Sequence, residues 1–307
     1  AHFSMKHILQ IVSLFCNIYS LKFLHHFGGL HMKEIPTPTF ALSPVLLPRG
    51  SLYRSPNPKD DTFHTENQGL EILWAKNLDE VRKAQQLRFM VFADEMGARL
   101  NSSIPKHDID LFDDYCEHLL VIDRGSRRVI GTYRILLPTQ AKRLGGFYTD
   151  TEFDLTRLRN YRDYMVELGR SCVHPDFRHG GVIMALWGAL AEFMQRNKFE
   201  IMIGCASIPM LNQGVVTTDL ASSIWLNLKK TSLAPINQQV TPRLPLPINE
   251  HTENLKAEPP ALIKGYLRLG AKILGAPAWD PDFNTADLPM LMNIADMPAR
   301  YRRHFST

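Results

Sequence analysis

Apolar residues recur at positions 78, 81, 84, 87, 91 and 92 across LDEVRKAQQLRFMVFADEM. This three-and-four spacing predicts an amphipathic helix over 78–96. The pattern then changes. After an aspartate-rich loop from His107 to Asp114, HLLVID and VIGTYRILL are short runs of strand-forming residues separated by Gly125-Ser126, which predicts a hairpin. Residues 164–173 (YMVELGRSCV) alternate and read as another strand, stopped by His174-Pro175 and followed by the polar, glycine-bearing turn HPDFRHGG. Val182, Leu186, Ala189 and Phe193 then line one face of a helix whose other face holds Glu192, Gln195 and Arg196. EIMIGCAS (200–207) reads as a buried strand, a further helix is expected over 213–229, and a proline-rich connection spans 235–260. The last strand-like segments fall at 264–274 and 278–284. This order describes an α/β (α+β) domain, a mixed sheet with helices on both faces.

The N-terminal part follows different rules. Residues 8–24 are strongly apolar, yet Gln10, Ser13, Asn17 and Ser20 fall on one narrow helical face, and Lys22 interrupts a stretch already short for a membrane span. Residues 1–35 are therefore read as an apolar segment: an interfacial helix or a non-native extension, with a signal peptide starting at Met5-Lys6 a weaker third reading. Prolines at 36, 38, 44, 48, 56 and 58 mark 36–70 as a linker, which leaves 71–305 as the folded domain.

Composition narrows the function classes. The chain has 307 residues, 45% of them hydrophobic, enough for a substantial core. A net charge of +4 suits an acidic protein partner or an anionic membrane surface, but the dense basic runs of a nucleic-acid binder are missing. Cys16, Cys116, Cys172 and Cys205 are widely spaced, which supports neither a disulfide framework nor a zinc site. No metal is predicted: Asp280, Asp282 and Asp287 lack calcium-loop spacing and read as turn residues. The basic tail Arg300-Tyr301-Arg302-Arg303-His304 reads as a solvated face, or as a contact for acidic lipid or protein.

Two constellations carry chemistry. In the first, Gly180-Gly181 open a helix directly after a strand. Unpaired N–H groups and the helix dipole favour a phosphate there, and Arg178 and His179 can add charge-assisted contacts. A plain strand-to-helix turn relieved by glycine is an equal reading. In the second, Asp108, Asp110, Asp113, Asp114 and Glu117 crowd beside a predicted core strand that carries Arg134. A cation on such a strand needs a carboxylate, and Asp113, Asp114 and Glu117 are available. The pairing serves either architecture or recognition of a ligand.

The glycine turn resembles the acyl-thioester loop of GNAT acyltransferases, an Arg/Gln-x-x-Gly-x-Gly/Ala run. Arg178 and Gly181 match it, but Ile183 stands where Gly or Ala is usual. That departure points away from coenzyme A pyrophosphate and toward the single phosphate of an acyl carrier protein's phosphopantetheine arm. Four further strings occur in order: Leu87–Phe92, Phe112–Leu120, Gly131–Thr139 and Glu167-Leu168-Gly169-Arg170. Together they resemble the framework of acyl-homoserine-lactone synthases and their relatives. With Gly204-Cys205-Ala206-Ser207, Pro259–Ala271 and Pro277–Leu288, the chain is similar to the L-ornithine Nα-acyltransferases over about three quarters of its length.

The resemblance implies a GNAT-like, mostly antiparallel twisted sheet with a proline-rich insertion before the last strands. It also implies transfer of a (3-hydroxy)fatty acyl group from acyl carrier protein to the α-amine of L-ornithine. No cofactor is expected, since the donor brings its own phosphopantetheine. The expected location is cytoplasmic, peripheral on the inner face of the membrane. The α-amine must lose a proton before attacking a thioester. Glu167 is the candidate base, directly or through a water, and Arg170 its catalytic companion. A salt bridge between those two is disfavoured because strand neighbours alternate faces. Donor contacts are expected at Val173, Arg178, His179, Gly180, Gly181 and Ser207, and acceptor contacts at Arg88, Asp113, Asp114 and Arg134. Asp113 and Asp114 would meet the side-chain ammonium, and Arg134 or Arg170 the carboxylate. Alternatives are an acyl-homoserine-lactone synthase, a coenzyme A-dependent acyltransferase, or a membrane-active protein with a silent domain.

Overall fold

The hairpin expected around Gly125-Ser126 is the seed of the sheet. β2 (Glu117–Asp123) and β3 (Val129–Leu136) pair antiparallel, and the turn is closed by the Asp123 carboxylate, which accepts from Ser126 N at 2.7 Å and Oγ at 2.6 Å. A computed structural model describes residues 69–299 other than Gln213; the apolar segment, almost all of the linker and the basic tail lie outside the described residues. Six more strands complete the sheet: β1 (Leu70–Trp74), β4 (Met165–Val173), β5 (Ile201–Pro209), β6 (Lys272–Ile273), β7 (Ala278–Asp280) and β8 (Thr285–Asn293). Their order is β1-β2-β3-β4-β5-β8-β6, with β7 also on β8. Every pairing is antiparallel except β4 with β5.

Two layers of helix cover the faces. The predicted helix at 78 begins at α1 (Leu78–Phe89), capped by the Asn77 side chain on Glu80 N, and continues as a wider π turn over Met90–Glu95. Its apolar stripe buries Val81, Ala84 and Leu87 on Leu120, Ile122 and Cys172. Short helices α2 (Pro138–Leu144) and α3 (Thr149–Glu152) lie on the same side over Met165, Ile201 and Ile203. On the other face α4 (Gly181–Asn197) buries Val182, Leu186, Ala189 and Phe193, the stripe expected from the sequence, against Leu119, Val121 and Ile135. Gly131 lets it sit close, since a Cβ there would come within 2.4 Å of Val182 Cγ1. α5 (Asp219–Leu228) and α6 (Ala261–Arg268) contribute to the same core. Burying each such large aliphatic side chain stabilises the fold by roughly 1.5–3 kcal/mol.

One expected element is different. Residues 264–268 are the end of helix α6, because Ile263 and Tyr266–Leu267 pack as a three-and-four stripe on the core, and only Lys272–Ile273 of the expected 264–274 segment form a strand. The long strand of this region is β8, whose apolar run LPMLM is buried on both faces.

Two backbone features shape the centre. β4 and β5 pair only over Met165–Glu167 and Ile201–Ile203, after which β4 stays with β3 and β5 with β8. They part where Gly204 meets the Leu168 carbonyl, a site where any Cβ would sit 2.3 Å from that oxygen. Beyond it β4 carries a bulge against β3, with Arg170 at φ +50°. A bulge of this kind re-aims the following side chains.

Candidate active site

The cleft between the parted strands is walled on one side by a buried ionic network. Arg88 from α1 donates Nε to Asp108 at 2.7 Å and Nη1 and Nη2 to Asp113 at 2.9 and 2.8 Å. Arg134, on the wholly buried strand β3, donates Nη1 to Asp110 at 2.6 Å and to Asp113 at 2.9 Å. Arg170 donates Nη2 to Asp110 at 3.1 Å and lies 3.2 Å from Asp108 through Nε. Gln85 Nε2 adds a bond to Asp113 at 3.0 Å. Three guanidiniums thus face three carboxylates in a charge-balanced cluster, which is the condition under which burial of ions is tolerable. Burial would raise the Asp113 carboxyl, but the Arg88 and Arg134 charges overcome it and hold Asp113 well below the usual range.

The geometry corrects several expectations. Asp113 is not free to bind an ammonium, because both its oxygens are held by this network. Asp114, next to it, points outward and is exposed. Arg88 and Arg134 are likewise committed to aspartates within the fold, so neither offers an open guanidinium to an acceptor.

Glu167 and Arg170, assigned to opposite faces by simple alternation, are on the same face: Arg170 lies in the bulge, at positive φ, and both reach Tyr148. They are nevertheless not paired with each other. Glu167 accepts from Tyr148 N at 2.7 Å, Thr149 N at 2.7 Å and Thr149 Oγ1 at 2.5 Å, so it caps the start of α3. Burial raises its carboxyl, with the Thr149 and Tyr148 bonds acting the other way. As an unencumbered base on β4 it does not fit. The Arg170 guanidinium is sandwiched instead, 5.0 Å from the Tyr148 ring centroid and 4.7 Å from that of Phe283.

At the other end of β4, the glycine turn leads directly into a helix. Gly180 takes φ +99°, and Gly181 begins α4. His179 is exposed beside it, and Val173 ends β4 with its carbonyl accepting from Arg178 Nε at 3.0 Å. Arg178 is also clamped on Glu95 at 2.5 and 2.7 Å. Ser207 stands apart from this loop, across the cleft on β5, exposed and hydrogen bonded to Asp287.

Glu152 was not singled out in the sequence, and Asp287, read there with Asp280 as a turn residue, is in a strand instead. Glu152 ends α3, Asp287 is central in β8 and Asp280 ends β7. Burial and the Asp280 charge push the Asp287 carboxyl up to about 6; burial and both aspartates raise Glu152 well above its ordinary value. Asp287 was legible in principle as a lone carboxylate in the otherwise apolar run of β8. Among the described residues, burial pushes the Cys172 thiol up to about 12, and burial with Glu152 raises Cys205 as well, which disfavours the thiolate form.

A sheet whose parallel pair opens into a cleft, with a glycine-initiated helix at its rim, defines a GNAT-type acyltransferase, and residues 87–188 match the acetyltransferase (GNAT) domain family. The L-ornithine Nα-acyltransferase of Rhodobacter capsulatus is 36% identical over 248 residues, 77% of this chain and 94% of that protein. Its counterpart in Brucella abortus is 34% identical, covering 77% and 88% of the two chains. The chain belongs to the L-ornithine Nα-acyltransferase family. Among solved structures, the CoA-dependent acyl-homoserine lactone synthase BjaI with SAM and isopentyl-CoA is 14% identical, covering 74% of this chain and 81% of that one, with a TM-score of 0.44.

Proposed function

We propose that this acyltransferase moves a fatty acyl group, 3-hydroxylated or not, from acyl carrier protein to the α-amine of L-ornithine, giving lyso-ornithine lipid. The observation that carries the reading is family membership across nearly the whole described domain. In the reaction, the neutral α-amine attacks the thioester carbonyl carbon, the C–N bond forms, the C–S bond breaks, and the amine proton ends on the departing thiolate. The cleft between β4 and β5 suits a phosphopantetheine arm, with its phosphate at Gly180-Gly181 and its thioester toward Ser207. Ile183 in place of a small residue and the net charge of +4 support a carrier-protein donor over free coenzyme A. Among the described residues no helix is long and apolar enough to cross a membrane. Exposed Leu211, Val215 and Leu220 support a peripheral site of action where a lipid product can leave.

The test is incubation of the full chain with 3-hydroxyacyl carrier protein and ornithine, read by mass spectrometry. An Nα-acyl ornithine is expected. Acylation of neutral amino acids as fast as ornithine, or equal efficiency with acyl-coenzyme A, would overturn the acceptor or the donor assignment respectively.

A further inference from the structure

Glu152, Asp287 and Cys205 bring one polar atom each to within 4.8 Å of one another. Asp280 adds a nearby charge. Asp287 is 4% exposed and accepts from Thr285 Oγ1 at 2.8 Å. Both carboxylate oxygens of Glu152 are sealed from solvent and accept no hydrogen bond of normal geometry, with the Tyr148 hydroxyl and Cys205 thiol as their polar neighbours. Among the described residues no Lys or Arg forms an ion pair with Glu152, Asp280 or Asp287; the closest cationic influence is Arg170, already held by Asp108 and Asp110. Paired buried carboxylates without a cation repel each other. The exposed Ser207 is bonded to Asp287 and links the pair to the surface of β5.

We propose that Glu152 and Asp287 seat a primary alkylammonium, the side-chain ammonium of a diamino-acid acceptor, and thereby decide which of its two amines is acylated. The proposal rests on the acceptor reading above. Its chemistry follows from charge. An ammonium has three donors, and Glu152 alone offers two unoccupied acceptor oxygens beside Asp287. Two carboxylates around an ammonium keep it protonated and without a lone pair, so the amine seated there cannot attack a thioester. The α-amine, with an ordinary pKa of about 8 against about 10.4 for an alkyl side-chain amine, is the one left able to react in the cleft. The acidic set suits one basic side chain and disfavours a neutral one, which would leave the carboxylates unrelieved.

The experiment uses the full chain, wild type and Glu152→Gln, Asp287→Asn and Glu152→Asp variants, with ornithine and norvaline, which has the same side-chain carbons without the terminal amine, as acceptors and acyl carrier protein as donor carrier. Wild type should favour ornithine over norvaline by ~10²-fold or more in kcat/KM. The Gln and Asn variants should raise the ornithine KM by ~30-fold or more while leaving norvaline within about threefold, and Glu152→Asp should recover part of the loss. Without donor, ornithine alone should raise the Tm of wild type but not of the Gln or Asn variants, whose own Tm should not fall because the amide keeps the shape of the carboxyl and leaves no charge to bury. An unchanged ornithine KM, or equal kcat losses on both acceptors, overturns the ammonium seat. So does loss of activity with a chelator and its return with zinc, since two carboxylates and a thiol could also hold a metal. If wild type acylates neither acceptor, the functional reading fails, and the donor-free thermal shift still decides whether the pocket binds ornithine.

Discussion

The guanidinium of Arg88 holds both carboxylate oxygens of Asp113, Nη1 to Oδ1 at 2.9 Å and Nη2 to Oδ2 at 2.8 Å, with both side chains almost wholly withdrawn from water. A helix and a loop 25 residues apart are thereby locked together beneath β3. Removing one partner leaves the others as uncompensated buried charges. Asp113→Asn is expected to destabilise the fold by ~3–5 kcal/mol, and urea denaturation at neutral pH measures it. Asp114→Asn, on the exposed neighbour, should move the midpoint by no more than ~0.5 kcal/mol.

Glu167 is expected to position α3, and through it Glu152, without itself taking the proton. In Glu167→Gln the amide can no longer accept from Tyr148 N, Thr149 N and Thr149 Oγ1 together. A stability loss of ~1–3 kcal/mol and a rise in ornithine KM should accompany any fall in kcat. The rising limb of the kcat–pH profile should stay where it is in wild type. Its disappearance in the variant would restore Glu167 as the base.

His118 supplies a pH dependence. Burial pushes its imidazole down to about 4, with Asp113 opposing, and Nε2 bonds to the Asp113 carbonyl at 3.0 Å. The folded chain therefore binds this proton less tightly than the unfolded chain does. Stability from this group is fully present above pH 6.5 and is lost as pH falls toward 4. The gap between 6.5 and about 4 corresponds to on the order of 3 kcal/mol. Comparing wild type with His118→Gln at pH 4.5 and 7 isolates it: wild type should lose more stability than the variant on acidification. Parallel losses in the two proteins would remove His118 as the cause.

The Arg178–Glu95 clamp is about one third exposed on each side, and an exposed pair of this kind contributes at most ~1 kcal/mol. It can therefore open to a phosphate. Arg178→Ala should raise the KM for acyl carrier protein by ~10-fold with little change in Tm or in the KM for ornithine. Steady-state kinetics at two salt concentrations checks this, since a charge-steered donor should bind more weakly at high salt.

Local pattern was enough to place α1, the β2–β3 hairpin, β4, the glycine turn and α4, because each is written in residues within one or two turns of each other. The charge cluster was also visible as a crowd of aspartates near Arg134. Which of them were spent was not, since Arg88, Asp108, Asp110, Asp113, Arg134 and Arg170 meet only when α1, a loop and two strands are stacked. The shared face of Glu167 and Arg170 depends on a bulge that strand alternation cannot anticipate. The pairing of Glu152 with Asp287 joins residues 135 positions apart, one ending a four-residue helix and the other within an apolar strand. Composition and periodicity determine where backbone hydrogen bonds and apolar faces go. The partner of a buried charge is chosen by whichever opposite charge the chain's long-range packing delivers to it, and among the described residues Glu152 receives none.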